Sequence, residues 1–170
     1  RSTLFPYTTL FRSERCRMVL ADALAYATAR LRPDLLVDVA TLTGSMKVSL
    51  GMRTGGVFAS QDALAERVIS AGERAGEAWW RMPLPDDIDS LAAELAEAVP
   101  SDIADVRQCP PGPGSIVAAA FLREFTAGLP WAHLDIAGPA RAEKAYDDIT
   151  PGATGFAART LVELASSYAS

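Results

Sequence analysis

Two stretches of the chain decide its fold: DVATLTGS at residues 38–45 and HLDIAGPA at residues 133–140. Each begins as a short, largely apolar run and ends in a turn of small residues that contains a glycine. Such runs are typical of strands covered on both faces, as in a parallel sheet. In open α/β sheets, ligands bind beyond the carboxyl ends of the strands. The two turns are therefore either one edge of a binding site or simply tight connections between elements.

Helices and further strands alternate around these two stretches. Segment 17–30 is predicted to be a helix, with Val19, Ala23, Tyr26 and Ala27 at helical spacing, whereas residues 3–13 show no coherent pattern. Segments 54–60 and 131–138 are predicted strands, and residues 77–87 are extended. Further helices are predicted at 61–76 (Leu64, Val68 and Ala71 inward), at 90–99, at 116–126 (with Ser115 as its N-cap) and at 155–169. This alternation predicts a layered α/β domain.

The composition excludes several classes of protein. The chain has 170 residues, is 49% hydrophobic and 22% charged, and has the size of one soluble domain. No apolar run reaches membrane-spanning length. The two cysteines argue against a disulfide framework and favour a reducing cytoplasm. The single histidine argues against a zinc site built mainly from His and Cys. A net charge of −5 offers nucleic acid no general attraction.

Six segments, in order and at suitable spacing, resemble the C-terminal part of the leucyl aminopeptidase family, the cytosolic two-metal aminopeptidases. They are RMVLADAL (17–24), DVATLTG (38–44), SDIADV (101–106), GSIVAAAFL (114–122), WAHLDIAG (131–138) and GATGFAARTLVELA (152–165). The resemblance runs from about Arg17 to the end of the chain. It implies a three-layer α/β/α fold with a central mixed, largely parallel sheet.

The resemblance also implies an activity. Members of this family release N-terminal amino acids, with leucine-like residues preferred, from peptide substrates. The intact enzyme is expected to use two divalent metal ions, manganese or zinc, with a bicarbonate ion as general base. It is expected to form a homo-hexamer in the cytoplasm, with no membrane partner and no nucleic-acid partner.

Six residues take family site positions by this resemblance. Arg17 corresponds to the arginine that holds the bicarbonate and is the expected catalytic residue. The expected substrate-binding residues are Thr41, Leu42 and Gly44 in the first turn and Ala137 and Ala140 in the second.

The same resemblance predicts no metal ligand in this chain. Ser13 and Arg15 fall where the family motif NTDAEGR has its ligating Asp and Glu, and Cys16 replaces its glycine. Serine is a poor ligand, and a guanidinium stays protonated. Residues 1–13 resemble a translated sequencing adapter, so residues 14–170 are expected to be the C-terminal portion of the catalytic domain. This fragment alone is expected to be inactive.

Three buried-strand residues invite a second interpretation. His133 and Asp135 lie on the same face of their strand and form either a catalytic pair or a buried hydrogen-bonded pair, and the structural interpretation is favoured. Asp38 needs a partner if it is buried, such as a helix N-terminus or main-chain donors. Lys47 is expected to be a solvated charge.

The sequence is compatible with three functions, of which the first is the prediction and the others are alternatives. The first is a metal-dependent aminopeptidase. The second is a non-catalytic homologue kept for assembly. The third is a DNA-binding role within the same family, which the net charge does not support.

Overall fold

The computed structural model describes residues 5–84 and 114–169, with side chains from Arg17 onward. Helices are α1 (Phe5–Arg30), α2 (Ser45–Leu50), α3 (Asp62–Ala75), α4 (Gly114–Arg123) and α5 (Ala158–Ser166). Strands are β1 (Leu36–Ala40), β2 (Thr54–Ala59), β3 (Ala78–Arg81), β4 (Trp131–Asp135), β5 (Arg141–Ala142) and β6 (Gly152–Ala153). The predicted helix at 90–99 and the segment SDIADV lie outside the described residues.

The chain divides into two compact units, residues 1–36 with 83–129 and residues 37–82 with 130–170. In the first unit, α1 contacts α4. Residues 117–122 of α4 are all buried, which confirms the prediction of a buried helix. This helix begins at Gly114, so Ser115 lies in its first turn and the prediction of Ser115 as the N-cap is wrong.

Helix α1 begins well before Arg17, the predicted start. Pro6 lies in its first turn, where the missing N–H of proline costs no intrahelical hydrogen bond. The prediction of a helix over residues 17–30 is confirmed. Residues 5–13, which show no coherent pattern in the sequence, belong to the same helix.

The buried stripe of α1 differs from the predicted one. Arg17, Ala21 and Leu24 are buried, whereas Val19 is 68% exposed and Tyr26 is 63% exposed. Apolar periodicity selected the wrong stripe because the buried one contains an arginine. Arg17 is therefore buried on a helix that belongs to the first unit.

A four-stranded sheet in the order β1-β4-β2-β3 lies at the centre of the second unit. Strand β2 pairs parallel with β3 and antiparallel with β4, so the sheet is mixed. Every residue of β4 is buried, as expected for a strand covered on both faces. The predicted α/β fold is confirmed. The short antiparallel pair β5–β6 was not predicted.

Helices cover both faces of this sheet. Consecutive strand residues point to opposite faces, and a β-carbon at Gly55 would meet Trp79 and Phe156, whereas one at Gly56 would meet Met46. The face of the sheet that carries Trp79 packs against α3 and α5. The opposite face packs against α2, which contributes Met46. Both glycines leave room for these larger side chains.

Helix α3 is amphipathic as predicted. Leu64, Val68 and Ala71 are buried, together with Ala65 and Gly72. The helix ends at a glycine in the left-handed conformation, Gly76, whose N–H bonds back to the last turn. This turn delivers the chain directly to Glu77 and strand β3.

The buried carboxylate of Glu77 holds the start of α5. It accepts hydrogen bonds from the N–H of Ala157 (3.1 Å) and from the N–H (3.0 Å) and hydroxyl (2.5 Å) of Thr160. The hydroxyl of Thr160 in turn accepts the indole N–H of Trp79 at 2.9 Å. Ala157, the residue before the helix, has no capping side chain and a φ of 79°. Glu77 therefore supplies from β3 the acceptor that the helix terminus needs.

Replacing Thr160 with valine should destabilise the chain by about 3 kcal/mol, because the indole of Trp79 loses its acceptor and the carboxylate of Glu77 loses a donor in a buried setting. Thr160→Ser keeps the hydroxyl and should cost about 1 kcal/mol for the lost methyl group. Urea unfolding followed by tryptophan fluorescence measures both values. Equal losses in the two variants would contradict the role of the hydroxyl.

Candidate functional site

The two strand-end turns singled out in the sequence lie side by side in the second unit. Strands β1 and β4 are neighbours in the sheet. The N–H of Ile136, just after β4, donates to the carbonyl of Ala40 at the end of β1 (2.9 Å). The carboxyl ends of both strands therefore meet at one edge of the sheet, the edge where α/β proteins bind ligands.

The carboxylate of Asp135 joins these two turns. Its Oδ1 accepts the N–H of Leu42 (3.2 Å) and the N–H of Ala137 (3.0 Å). Its Oδ2 accepts the N–H (3.1 Å) and the hydroxyl (2.7 Å) of Thr43. Two of the three donor residues belong to the turn after β1, and one belongs to the turn after β4. A single side chain thus fixes the backbone of both turns.

Burial and hydrogen bonding act on Asp135 in opposite directions. The side chain is buried, and the loss of solvent raises the pKa of its carboxyl group above the usual value. The hydrogen bonds from the two turns and the nearby His133 each lower that pKa by less. The carboxylate is therefore held in an apolar setting by donors that the two turns supply.

The turn after β1 presents two of its residues to solvent and buries two. Thr41 and Gly44 are exposed, whereas Leu42 and Thr43 are buried. A β-carbon at Gly44 would meet no atom within 4 Å, so open space lies over this position. Of the predicted residues in this turn, Thr41 and Gly44 can offer side-chain positions to a ligand. Leu42 packs inward and can offer only its backbone.

The turn after β4 lies close to the segment before β2. A β-carbon at Gly138 would collide with the backbone carbonyl of Gly51, so only glycine fits there. The N–H of Ala140 donates to the carbonyl of Ile136 (3.0 Å), and the N–H of Thr154 donates to the carbonyl of Ala140 (3.1 Å). Thr154 was not singled out in the sequence. Its place in the motif GATG is the signal that could have identified it.

The structure groups five of the six predicted site residues. Those on the two neighbouring turns are Thr41, Leu42, Gly44, Ala137 and Ala140. Arg17 belongs to the other unit, where it is 5% exposed on α1. Lys47 is exposed, as expected of a solvated charge.

A second buried carboxylate, Asp38, lies on β1. It accepts the indole N–H of Trp131 at 2.7 Å, and its other oxygen lies 2.5 Å from Nδ1 of His133. The structural interpretation of His133 and Asp135 is supported, but each residue has its own partners and they do not form the expected pair. Asp38 is paired, as its burial requires, although with side chains and not with main-chain donors.

The described residues do not fit a metal centre. Among residues 5–84 and 114–169, no group of three or more His, Cys, Asp or Glu side chains could hold a metal ion. The oxygens of Asp135, which lie nearest the two turns, are occupied by four donors. In the same part of the chain, no helix combines the length and the apolar character needed to cross a bilayer.

Comparison with protein families gives one match over most of the chain. The model of the cytosol aminopeptidase family, catalytic domain, matches residues 13–162. The probable cytosol aminopeptidase of Chlorobium phaeobacteroides is 46% identical over 155 residues, which is 90% of this chain and 29% of that protein. The chain therefore spans less than a third of the length of this curated relative.

Solved structures give the same result. The bottromycin maturation enzyme BotP in complex with Mn is similar with a TM-score of 0.78 and 44% identity, over 91% of this chain and 33% of that one. A mutant of tomato leucine aminopeptidase is similar with a TM-score of 0.75 and 39% identity, over 87% of this chain and 27% of that one.

Proposed function

The chain belongs to the cytosol aminopeptidase family, and from this premise we propose that it forms the substrate-binding side of a metal-dependent aminopeptidase. The enzyme releases N-terminal amino acids from peptides. The observation that carries the proposal is the pair of strand-end turns joined by Asp135 at one edge of the sheet. This edge has the exposed small residues and the fixed backbone that a peptide terminus requires.

The two turns are proposed to form the pocket for the first side chain of the substrate. Thr41 and Gly44 line it from the turn after β1. From the turn after β4, Ala140 lines it, and Ala137, which is buried, contributes its backbone. Leu42 contributes its backbone, because its side chain is buried. The small residues of the two turns leave room for a leucine-like side chain, and the open space over Gly44 supports this assignment.

Arg17 is proposed to hold a bicarbonate ion that acts as the general base. A guanidinium binds a planar oxyanion through two parallel hydrogen bonds, and its burial on α1 reduces competition from water. The metal ions are proposed to be manganese or zinc, two per site, and the structure of BotP in complex with Mn supports manganese. Their ligands are assigned to the part of the complete protein that lies outside this 170-residue chain. The residues given roles here are Arg17, which holds the bicarbonate, and the residues of the two turns, which bind the substrate.

The working form of the enzyme is proposed to be a homo-hexamer in the cytoplasm. The names of the curated relatives support a cytosolic setting. The presence of only two cysteines is consistent with a reducing compartment.

The product of the complete gene should hydrolyse a leucine anilide when manganese or zinc is added. A chelator should abolish this activity, and the metal should restore it. The 170-residue chain alone serves as the comparison and should show no hydrolysis, because Ser13 and Arg15 stand at the positions of two metal ligands of the family. Hydrolysis that is insensitive to the chelator, or its absence from the metal-loaded complete protein, would refute the proposal.

Replacing Gly44 with leucine should reduce kcat/KM for a leucine anilide about a hundredfold, because the new side chain fills the pocket. The variant should fold, since Gly44 has a φ of −64° and a β-carbon there meets no neighbour. The loss should be smaller for an alanine anilide, whose side chain reaches less far. Gly44→Ala should give an intermediate loss.

Metal content and melting temperature are the controls for this series. Both should equal those of the parent protein. If Gly44→Leu keeps its metal and cleaves both anilides as well as the parent does, the turn after β1 is not part of the pocket.

A further inference from the structure

We propose that Asp135 is a positioning residue that sets the width of the pocket for the first side chain without touching the substrate. The inference rests on the proposed function, because it concerns the same two turns. Asp135 is 1% exposed, and both of its carboxylate oxygens are occupied by donors of the protein. Its action on a substrate therefore passes through the backbone that it holds.

Asp135 controls the turn after β1 through two consecutive N–H groups. Those of Leu42 and Thr43 both point at its carboxylate. The exposed residues Thr41 and Gly44 stand on either side of this pair. Movement of the held pair must therefore move the two residues that line the pocket.

Within the described part of the chain, the turn after β1 has few hydrogen bonds besides those to Asp135. Helix α2 begins directly after Gly44, and no side chain caps its first turn. Among the described residues, the donors to the carbonyls of Thr43 and Gly44 are the N–H groups of Met46 (3.3 Å) and Lys47 (3.2 Å), and both bonds are long. By contrast, the turn after β4 has its own bonds through Ala140, so loss of Asp135 should loosen the first turn more than the second.

Asparagine at position 135 is the sharpest perturbation. It has nearly the same shape, but one oxygen becomes an NH₂ group that cannot accept a hydrogen bond. If its remaining oxygen serves Leu42 and Ala137, the NH₂ group faces the N–H of Thr43, and donor opposes donor. The opposite orientation leaves both Leu42 and Ala137 without an acceptor. Either orientation loosens the turn after β1.

Asp38 provides a matched control. It is also a buried carboxylate, and its partners Trp131 and His133 lie on the same strand as Asp135. Its hydrogen bonds go to side chains and none goes to either turn. Asp38→Asn should therefore weaken the sheet and leave the backbone of the turns in place.

The experiment compares Asp135→Asn and Asp38→Asn in the complete gene product. For Asp135→Asn, KM for the leucine anilide should rise about tenfold, because a buried hydrogen bond to a charged group is lost. KM for the alanine anilide should rise about twofold. Hydrogen exchange at Leu42 and Thr43 should accelerate at least tenfold. Asp38→Asn should leave the ratio of the two KM values and both exchange rates within twofold of those of the parent protein. This should hold even if its melting temperature falls as much as that of Asp135→Asn.

Thr43→Val tests the same contact if Asp135→Asn does not fold. It removes only the hydroxyl bond of 2.7 Å and keeps the backbone N–H, so the KM ratio should shift in the same direction by about threefold. If the parent enzyme is active but the variants leave that ratio unchanged, or if Asp38→Asn shifts it equally, the positioning role is overturned. The proposed function would still stand. A complete protein without aminopeptidase activity would instead refute the proposed function.

Discussion

A buried carboxylate at the end of β4 is the constraint on which the candidate site depends. An ionised carboxylate inside a protein is unfavourable unless hydrogen-bond donors surround it. Asp135 meets this condition with four donors taken from the turns after β1 and β4. The pairing of the two strands and the solvation of this charge therefore require each other. A shift of either turn would leave the carboxylate short of donors.

Two other buried acids follow the same principle elsewhere in the second unit. Asp38 connects β1 to β4 through Trp131 and His133, and Glu77 connects β3 to the start of α5 through Thr160. Each acid joins elements that are distant in sequence. Removing one partner of such a group costs more than the hydrogen bond itself contributes, because the charge stays buried. Two of these three acids join β4 to β1 or to the turn after β1, and the third joins the sheet to a helix.

The sequence predicted the elements whose signal is local. The short apolar runs and the amphipathic pattern of α3 identified the strands and the helix, and the small residues after β1 and β4 identified the candidate edge. The hydrogen-bond partners of the buried acids could not be predicted, because Asp38 and His133 are far apart in the chain and no local pattern connects them. The stripe of α1 was missed for a related reason: a buried arginine leaves no mark in apolar periodicity.

The central claim is that the two turns form one wall of the substrate pocket with Asp135 behind it. The most direct measurement is a structure of the complete gene product bound to a non-hydrolysable phosphonate analogue of leucine. The leucine side chain should lie within about 4 Å of Thr41 and Gly44, in van der Waals contact with both. The carboxylate of Asp135 should still bond to Leu42 and Thr43 and should not touch the analogue. An analogue whose side chain lies away from both turns, or one that bonds directly to Asp135, would contradict the account.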